Sequence, residues 1–134
     1  MVWALAGDLL ALSGITLGPD PIWGPDVFLD LEVFEWNGVS WGSAWNQVSR
    51  EQQSTVFGIH GDKLLVRTQQ VGELEVKNLV YERAATAWEP RYRLMPSEGN
   101  VLRNPRLENG VVGAVDTPET FGVGDPRFVF YRLP

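Results

Sequence analysis

Few side chains in this sequence of 134 residues suit acid–base or nucleophilic chemistry. His60 is the only histidine, and there is no cysteine. A Ser–His–Asp arrangement would need His60 as its base, and Asp62 lies too close in sequence to orient that ring in the usual way. The absence of cysteine excludes thiol nucleophiles, disulfides and thiolate metal sites. Seventeen acidic residues make some carboxylate pair inevitable, so such a pair does not indicate glycoside hydrolysis. We therefore predict no catalytic residues and no enzymatic activity.

Acidic side chains are dense between positions 20 and 32, at Asp20, Asp26, Asp30 and Glu32. Oxygen ligands of this kind suit calcium. Their spacing does not follow an EF-hand loop, however, and prolines interrupt it. Two of the four acids follow Gly-Pro and are typical of turns. We predict no metal site and no cofactor.

Tryptophan is concentrated in the first 49 residues, which contain five of the six. Trp36, Trp41 and Trp45 lie close together, beside the polar residues Glu35, Asn37 and Asn46. Three interpretations remain open: core packing, because each ring buries a large apolar area, a protein interface, or a platform for stacking sugar rings.

The element that positions these tryptophans is a predicted strand with period-two alternation. Its apolar face carries Val27, Leu29, Leu31 and Val33. Its second face mixes aromatic and acidic side chains, an unusual combination for plain core or plain surface. We identify a candidate interface or ligand face that includes the tryptophans of the following hairpin: Phe28, Asp30, Glu32, Phe34, Trp36, Trp41 and Trp45.

Turn signals recur between short apolar runs and predict an all-β chain. Asn37-Gly38 is the strongest short hairpin signal, and Gly61-Asp62 marks a second hairpin. We expect one domain over residues 1–134, an antiparallel β-sandwich or partly closed β-barrel of about seven to ten strands with little helix. Long loops are expected near 96–110 and 117–126.

Charge is segregated along the chain. The first 49 residues contain six acids and no lysine or arginine, whereas the rest has 11 of each sign and is neutral. Nine of the 11 bases are arginine, a residue enriched at protein interfaces. A candidate partner loop contains or adjoins Arg91, Arg93, Arg103 and Arg106. Contact between it and the acidic first third of a neighbouring copy would be head-to-tail, a geometry that generates rings or lattices.

Several partners are not expected. A net charge of −6 argues against binding to a phosphate backbone. No apolar run approaches the ~20 residues of a membrane helix, and the amino-terminal residues lack the basic segment of a signal peptide. We expect protein partners, no nucleic acid and no membrane.

The segment Val33-Phe34-Glu35-Trp36-Asn37-Gly38-Val39-Ser40-Trp41 resembles a Trp-flanked hairpin found in bacteriophage tail and other virion proteins. The resemblance implies a short Trp-flanked hairpin, and no catalytic residues transfer with it. Together with the lack of a catalytic constellation and of cysteine, the segregated charge and the long loops, it leads us to expect a non-enzymatic structural protein, a virion component of the tail-associated or capsid-decoration type that acts as a homo-oligomer. The alternatives are a small carbohydrate-binding module or a calycin-like barrel that holds an apolar ligand. The virion is the expected location, with the cytoplasm as the alternative.

Overall fold

The computed structural model describes residues 1–17, 27–120 and 124–134, with only the backbone described at 15–17 and 27–29. All regular structure in these ranges is β-strand, and no helix occurs in them. The predicted all-β class is therefore confirmed. Eleven strands are present where seven to ten were expected.

The strands form three antiparallel sheets, each of which is built from strands that follow one another in sequence. Sheet A contains β1 (Val2–Ala6), β2 (Leu9–Leu17), β3 (Val27–Trp36) and β4 (Trp41–Ser49). Sheet B contains β5 (Gln52–His60), β6 (Lys63–Gln70), β7 (Val76–Ala84) and β8 (Ala87–Leu94). Sheet C contains β9 (Asn100–Glu108), β10 (Val111–Pro118) and β11 (Arg127–Arg132). No sheet closes into a barrel in the described ranges, so the architecture is a sandwich.

Sheet B packs on both of its faces. One face and the inner face of sheet A enclose a first core of Leu9, Ala11, Leu31, Val33, Val56, Ile59, Leu64, Val66, Tyr81 and Trp88. The opposite face and sheet C enclose a second core of Leu65, Val80, Leu94, Leu102, Val112 and Ala114. Successive side chains of a strand point to opposite faces, which explains why three consecutive apolar residues of β6 are all fully buried. The sandwich therefore has three layers.

Both predicted hairpins are present. Trp36 and Trp41 are the last pair of the first hairpin. Its turn is held by the side chain of Asn37, whose Oδ1 accepts hydrogen bonds from the backbone N–H groups of Val39 and Ser40 at 2.9 Å each. Gly38 supplies the positive φ of 95°. The loop therefore has four residues and is closed by an Asx turn rather than by a two-residue turn with positive φ at both positions. At the second hairpin His60 pairs directly with Lys63.

The prediction of a long loop at 96–110 is wrong, because β9 occupies most of this range. Asn104 and Pro105 lie at an irregularity of the pairing, opposite Ala114, and Asn104 has a φ of 50°. Proline is tolerated on edge strands and at bulges, and β9 is the edge of sheet C. The second predicted loop is shorter than 117–126, because β10 extends to Pro118, and residues 121–123 lie outside the described ranges.

Candidate functional site

The outer face of sheet A turns away from the core and is rich in aromatic side chains. Its residues alternate with the buried positions of the first core, so pairing across the strands defines them. One cross-strand row contains Trp3, Leu12, Glu32 and Asn46, and the next contains Leu5, Leu10, Phe34 and Ser43. We call this surface the acidic aromatic face and define it by Trp3, Leu5, Leu10, Leu12, Asp30, Glu32, Phe34, Trp36, Trp41 and Val48.

The acidic aromatic face is substantially open to solvent. Trp3 is 64% exposed, Leu5 54% and Trp41 41%. The rings of Trp36 and Trp41 contact each other across the hairpin, with centroids 5.6 Å apart and planes tilted by 52°. Aromatic contacts of this kind are favourable beyond the area they bury, and the two indoles together form an apolar ridge at one end of the face.

The structure places most of the predicted face residues on one surface, but Trp45 does not lie on it. Trp45 pairs with Val33, whereas Ser43 pairs with Phe34, so Ala44 is an extra residue in β4. This bulge reverses the alternation beyond it. Trp45 consequently points inward and packs edge-on against Tyr81 with centroids 6.2 Å apart. The prediction that Trp45 shares a surface with the other two rings is wrong. The backbone of Phe28 lies in β3, and its side chain lies outside the described part of the chain.

Two carboxylates give this face its acidic character. Glu32 accepts a hydrogen bond from the Ser43 hydroxyl at 2.6 Å and lies two residues from Asp30 on the same side of β3. Glu35 points to the opposite side, where its carboxylate lies 3.3 Å from the Arg83 guanidinium of sheet B. Glu35 therefore joins two layers rather than extending the charge of the outer face.

The four arginines of the predicted partner loop do not lie together. Arg91 and Arg93 belong to β8 in sheet B, and the Arg93 guanidinium pairs with Glu75 at 2.8 Å. Arg103 and Arg106 belong to β9 and point outward from sheet C. The predicted loop is therefore a strand, and only two of its four arginines contribute to one surface.

Those two arginines belong to a second outer face, which sequence reasoning missed. In sheet C, Arg103, Val115 and Phe128 form one cross-strand row, and Arg106, Gly113 and Phe130 form the next. Phe128 is 80% exposed and Phe130 75%. The signal is the alternation of β11, in which Val129 and Tyr131 face the second core. We call this surface the basic aromatic face and define it by Arg103, Arg106, Val115, Phe128, Phe130 and Arg132.

Gly113 leaves room for the aromatic ring of Phe130, its cross-strand neighbour in sheet C. A Cβ atom at this position would come within 3.3 Å of the Phe130 ring, closer than ordinary van der Waals contact. The missing side chain therefore provides the space across which Phe130 extends.

A buried carboxylate on β10, the central strand of sheet C, binds the segment that leads into β9. Asp116 is 2% exposed and accepts hydrogen bonds from Ser97 N at 3.0 Å, Ser97 Oγ at 2.8 Å and Asn100 Nδ2. The guanidinium of Arg127 lies 3.8 Å away. These donors, the backbone N–H of Ser97 first, lower the pKa of Asp116. The carboxylate thereby fixes the connection from β8 to β9.

A cleft of about 660 Å³ lies between the ends of β6 to β8 and the start of β9. Arg67 lines it, stacks 4.7 Å above the Phe57 ring and donates to the carbonyl oxygen of Leu102 at 3.1 Å. Burial, and secondarily Arg103, lowers the pKa of Arg67. Its contacts join sheet B to sheet C.

The candidate catalytic and metal-ligating residues are dispersed. His60 is exposed at the end of β5. No group of three or more metal-ligating side chains comes together in the described ranges, and Asp20 and Asp26 lie outside them. None of the described elements is a helix long and apolar enough to cross a membrane. Comparison with protein-family models, with curated proteins and with solved structures finds no match to this chain.

Proposed function

We propose that this protein is a non-enzymatic structural protein that assembles into a homo-oligomer, as a component of a bacteriophage virion. The observation that carries the proposal is the acidic aromatic face. It spans a four-stranded sheet and presents Trp3, Leu5 and Trp41 to solvent. No other described element covers this surface.

The physical argument is that such a surface is costly to leave in water. Monomeric proteins rarely expose contiguous apolar patches larger than a few hundred Å². Burial of apolar area contributes roughly 25 cal/mol per Å², and aromatic residues are enriched in interface cores. A β-sheet face is also rigid, so little conformational entropy is lost when it binds. A protein surface is therefore the partner that suits this face best.

The virion role rests on the Trp-flanked hairpin that resembles those of phage structural proteins. Its Asx turn and its paired indoles make it a stiff projection from the edge of the acidic aromatic face. Purification of particles from the source of the chain tests this role. The protein should co-sediment with particles after stringent washing, and its absence from them would refute the virion role alone.

Analytical ultracentrifugation tests the assembly. The wild-type chain should sediment as an oligomer at concentrations up to about 0.5 mM, a range that detects contacts with dissociation constants below about that value. The double variant Trp3→Ser/Leu5→Ser should shift it to monomer, because both side chains lie on the exposed edge strand β1. Leu74→Ser is the matched control, since Leu74 is 96% exposed and lies outside the face. A monomeric wild type would refute the proposal, as would a double variant that assembles like the control.

Carbohydrate binding is a second candidate, favoured by an exposed indole beside polar groups. Trp41 is solvent-accessible, and Ser43 and Asn46 follow it on the same strand. Stacking on a sugar would change tryptophan fluorescence. A glycan panel titrated against the wild type and Trp41→Ala decides: saturable quenching lost in the variant would establish sugar binding, and no change with any glycan would eliminate it.

A calycin-like function is not proposed, because none of the sheets closes into a barrel in the described ranges. The interior beside sheet B is occupied by two side-chain cores.

A further inference from the structure

We infer that the partner of the acidic aromatic face is the basic aromatic face of a second copy of this chain, so that copies stack head-to-tail. The inference rests on the proposed assembly and adds the surface that binds. It differs from the obvious alternative, in which two acidic aromatic faces meet around a two-fold axis.

The position of the two faces is the first step. Sheet A and sheet C pack on opposite faces of sheet B. Their outer surfaces therefore point away from each other and cannot meet within one molecule. Each copy presents one surface of each kind, which is the arrangement that a head-to-tail contact requires.

Charge is the second step. The four strands of sheet A contain no lysine or arginine, and the acids at their outward-facing positions in the described part of the chain are Asp30 and Glu32. The outer face of sheet C carries Arg103, Arg106 and Arg132 against one acid, Glu108. Two copies of either face would bring like charges together, whereas one of each is complementary.

Apolar matching is the third step. Each face adds aromatic side chains to its charges: Trp3, Phe34 and Trp41 on one, Phe128 and Phe130 on the other. Arginine stacks on aromatic rings as well as pairing with carboxylates. An arginine of one copy can therefore contact both an indole and a carboxylate of the next.

The size of the contact is the fourth step. The smaller face limits it, and three strands about 4.8 Å apart and eight residues long project onto roughly 14 by 27 Å. That footprint of roughly 400 Å² per copy, or about 800 Å² in total, lies below the roughly 1,200–2,000 Å² of specific stable interfaces and is the size of a weak, transient contact. A single contact is therefore expected to be weak, and closure into a ring or repetition in a lattice would strengthen the assembly through multivalency.

Charge reversal tests the pairing. Glu32→Lys and Arg106→Glu each place like charges across the proposed contact and should raise its dissociation constant by at least about tenfold. An equimolar mixture of the two variants should assemble again as an alternating polymer, because each variant face then meets its complement. Arg91→Glu is the matched control, since Arg91 is exposed on sheet B and lies on neither face. Sedimentation velocity at low salt compares the wild type, the two charge-reversed variants, their mixture and the control.

The outcomes separate this inference from the proposed assembly. A monomeric wild type refutes both. A wild-type oligomer that Arg106→Glu leaves intact overturns head-to-tail pairing. If Trp3→Ser/Leu5→Ser still disrupts that oligomer, the acidic aromatic face is retained as the interface, as a two-fold contact predicts. A mixture that stays monomeric also overturns the inference. Near-ultraviolet circular dichroism checks that the variants fold. If a charge-reversed variant does not fold, Glu32→Gln and Arg106→Gln take its place. These changes remove the charges without reversing them and should weaken assembly.

Discussion

Replacement of Asp116 by alanine is expected to destabilise the fold, because this residue attaches the β8–β9 connection to sheet C. The side chain is almost fully buried and receives three hydrogen bonds, from the backbone and hydroxyl of Ser97 and from the amide of Asn100. Alanine would leave those donors without their acceptor. The connection between β8 and β9 would then lose its attachment to β10.

The magnitude follows from the number and surroundings of those bonds. A hydrogen bond to a charged group contributes about 1.5–3 kcal/mol, and an unsatisfied buried group costs about 1–3 kcal/mol. Ser97 is only half-buried and Arg127 is exposed, so water can reach part of the vacated site. The free energy of unfolding should therefore fall by about 2–3 kcal/mol rather than by the full sum.

The pH dependence supplies an independent check. The pKa of Asp116 lies below its ordinary value of 3.8 in the folded protein. The stabilisation is therefore complete above that ordinary value and is lost as the pH falls through the folded-state pKa. Asp116→Asn retains the shape of the side chain but does not titrate.

Urea unfolding at about pH 6 and about pH 2.5 measures both effects. The free energy of unfolding should fall more on acidification for the wild type than for Asp116→Asn, which serves as the isosteric control. Equal falls in the two proteins would refute the assigned electrostatic role. An Asp116→Ala protein as stable as the wild type at neutral pH would refute the hydrogen-bond argument.

Three further predictions concern packing and charge in the layers. Lys63 donates a hydrogen bond to Glu82 at 2.8 Å, which raises the pKa of the lysine above 10.5. The stabilisation from charged Lys63 should persist below that ordinary value and be lost as the pH rises through the folded-state pKa. In urea unfolding at alkaline pH, Lys63→Met should lack this loss of stability. Gly58→Ala places a Cβ 3.1 Å from that of Leu107 and should cost about 1–3 kcal/mol in urea unfolding; an unchanged penalty in a Leu107→Ala background would contradict the steric cause. Trp45→Ser should lower the free energy of unfolding by about 2 kcal/mol, because the ring packs inward, and an unaffected thermal midpoint would contradict that orientation.

The parts of the fold that depend on local chemistry were predictable. Asn-Gly between alternating segments strongly favours a turn, and here the Asn37 side chain caps the turn and Gly38 accepts the positive φ. Alternation placed Leu31 and Val33 on the core side and Glu32 on the other. The same rule holds for Trp36, which lies on the side of Glu32 and pairs with Trp41 across the hairpin.

The features that depend on the exact residue-by-residue pairing of neighbouring strands were not predictable. Trp41 and Trp45 are four residues apart and would share a face in a regular strand. Only the extra residue Ala44, opposite the pairing of Val33 and Phe34, separates them. In β9, Asn104 and Pro105 have the composition of a loop, yet they form an irregularity that an edge strand accommodates. The Ala44 bulge has no signal in the local sequence, and the Asn104-Pro105 signal does not distinguish a bulge from a loop.

The charge segregation along the chain becomes a segregation between layers because each sheet is built from consecutive strands. The acidic side of this arrangement is visible by counting, since the first 49 residues contain no lysine or arginine and include all four strands of sheet A. The basic side is not visible by counting, because the four arginines between positions 100 and 132 are matched by four acids. Strand pairing separates these charges: Asp116 turns inward toward Arg127, two acids lie in the β10–β11 loop, and Glu108 alone stays with the outward-facing arginines. A neutral segment therefore presents a basic surface opposite the acidic layer, and this polarity favours stacking of copies in one direction over two-fold pairing.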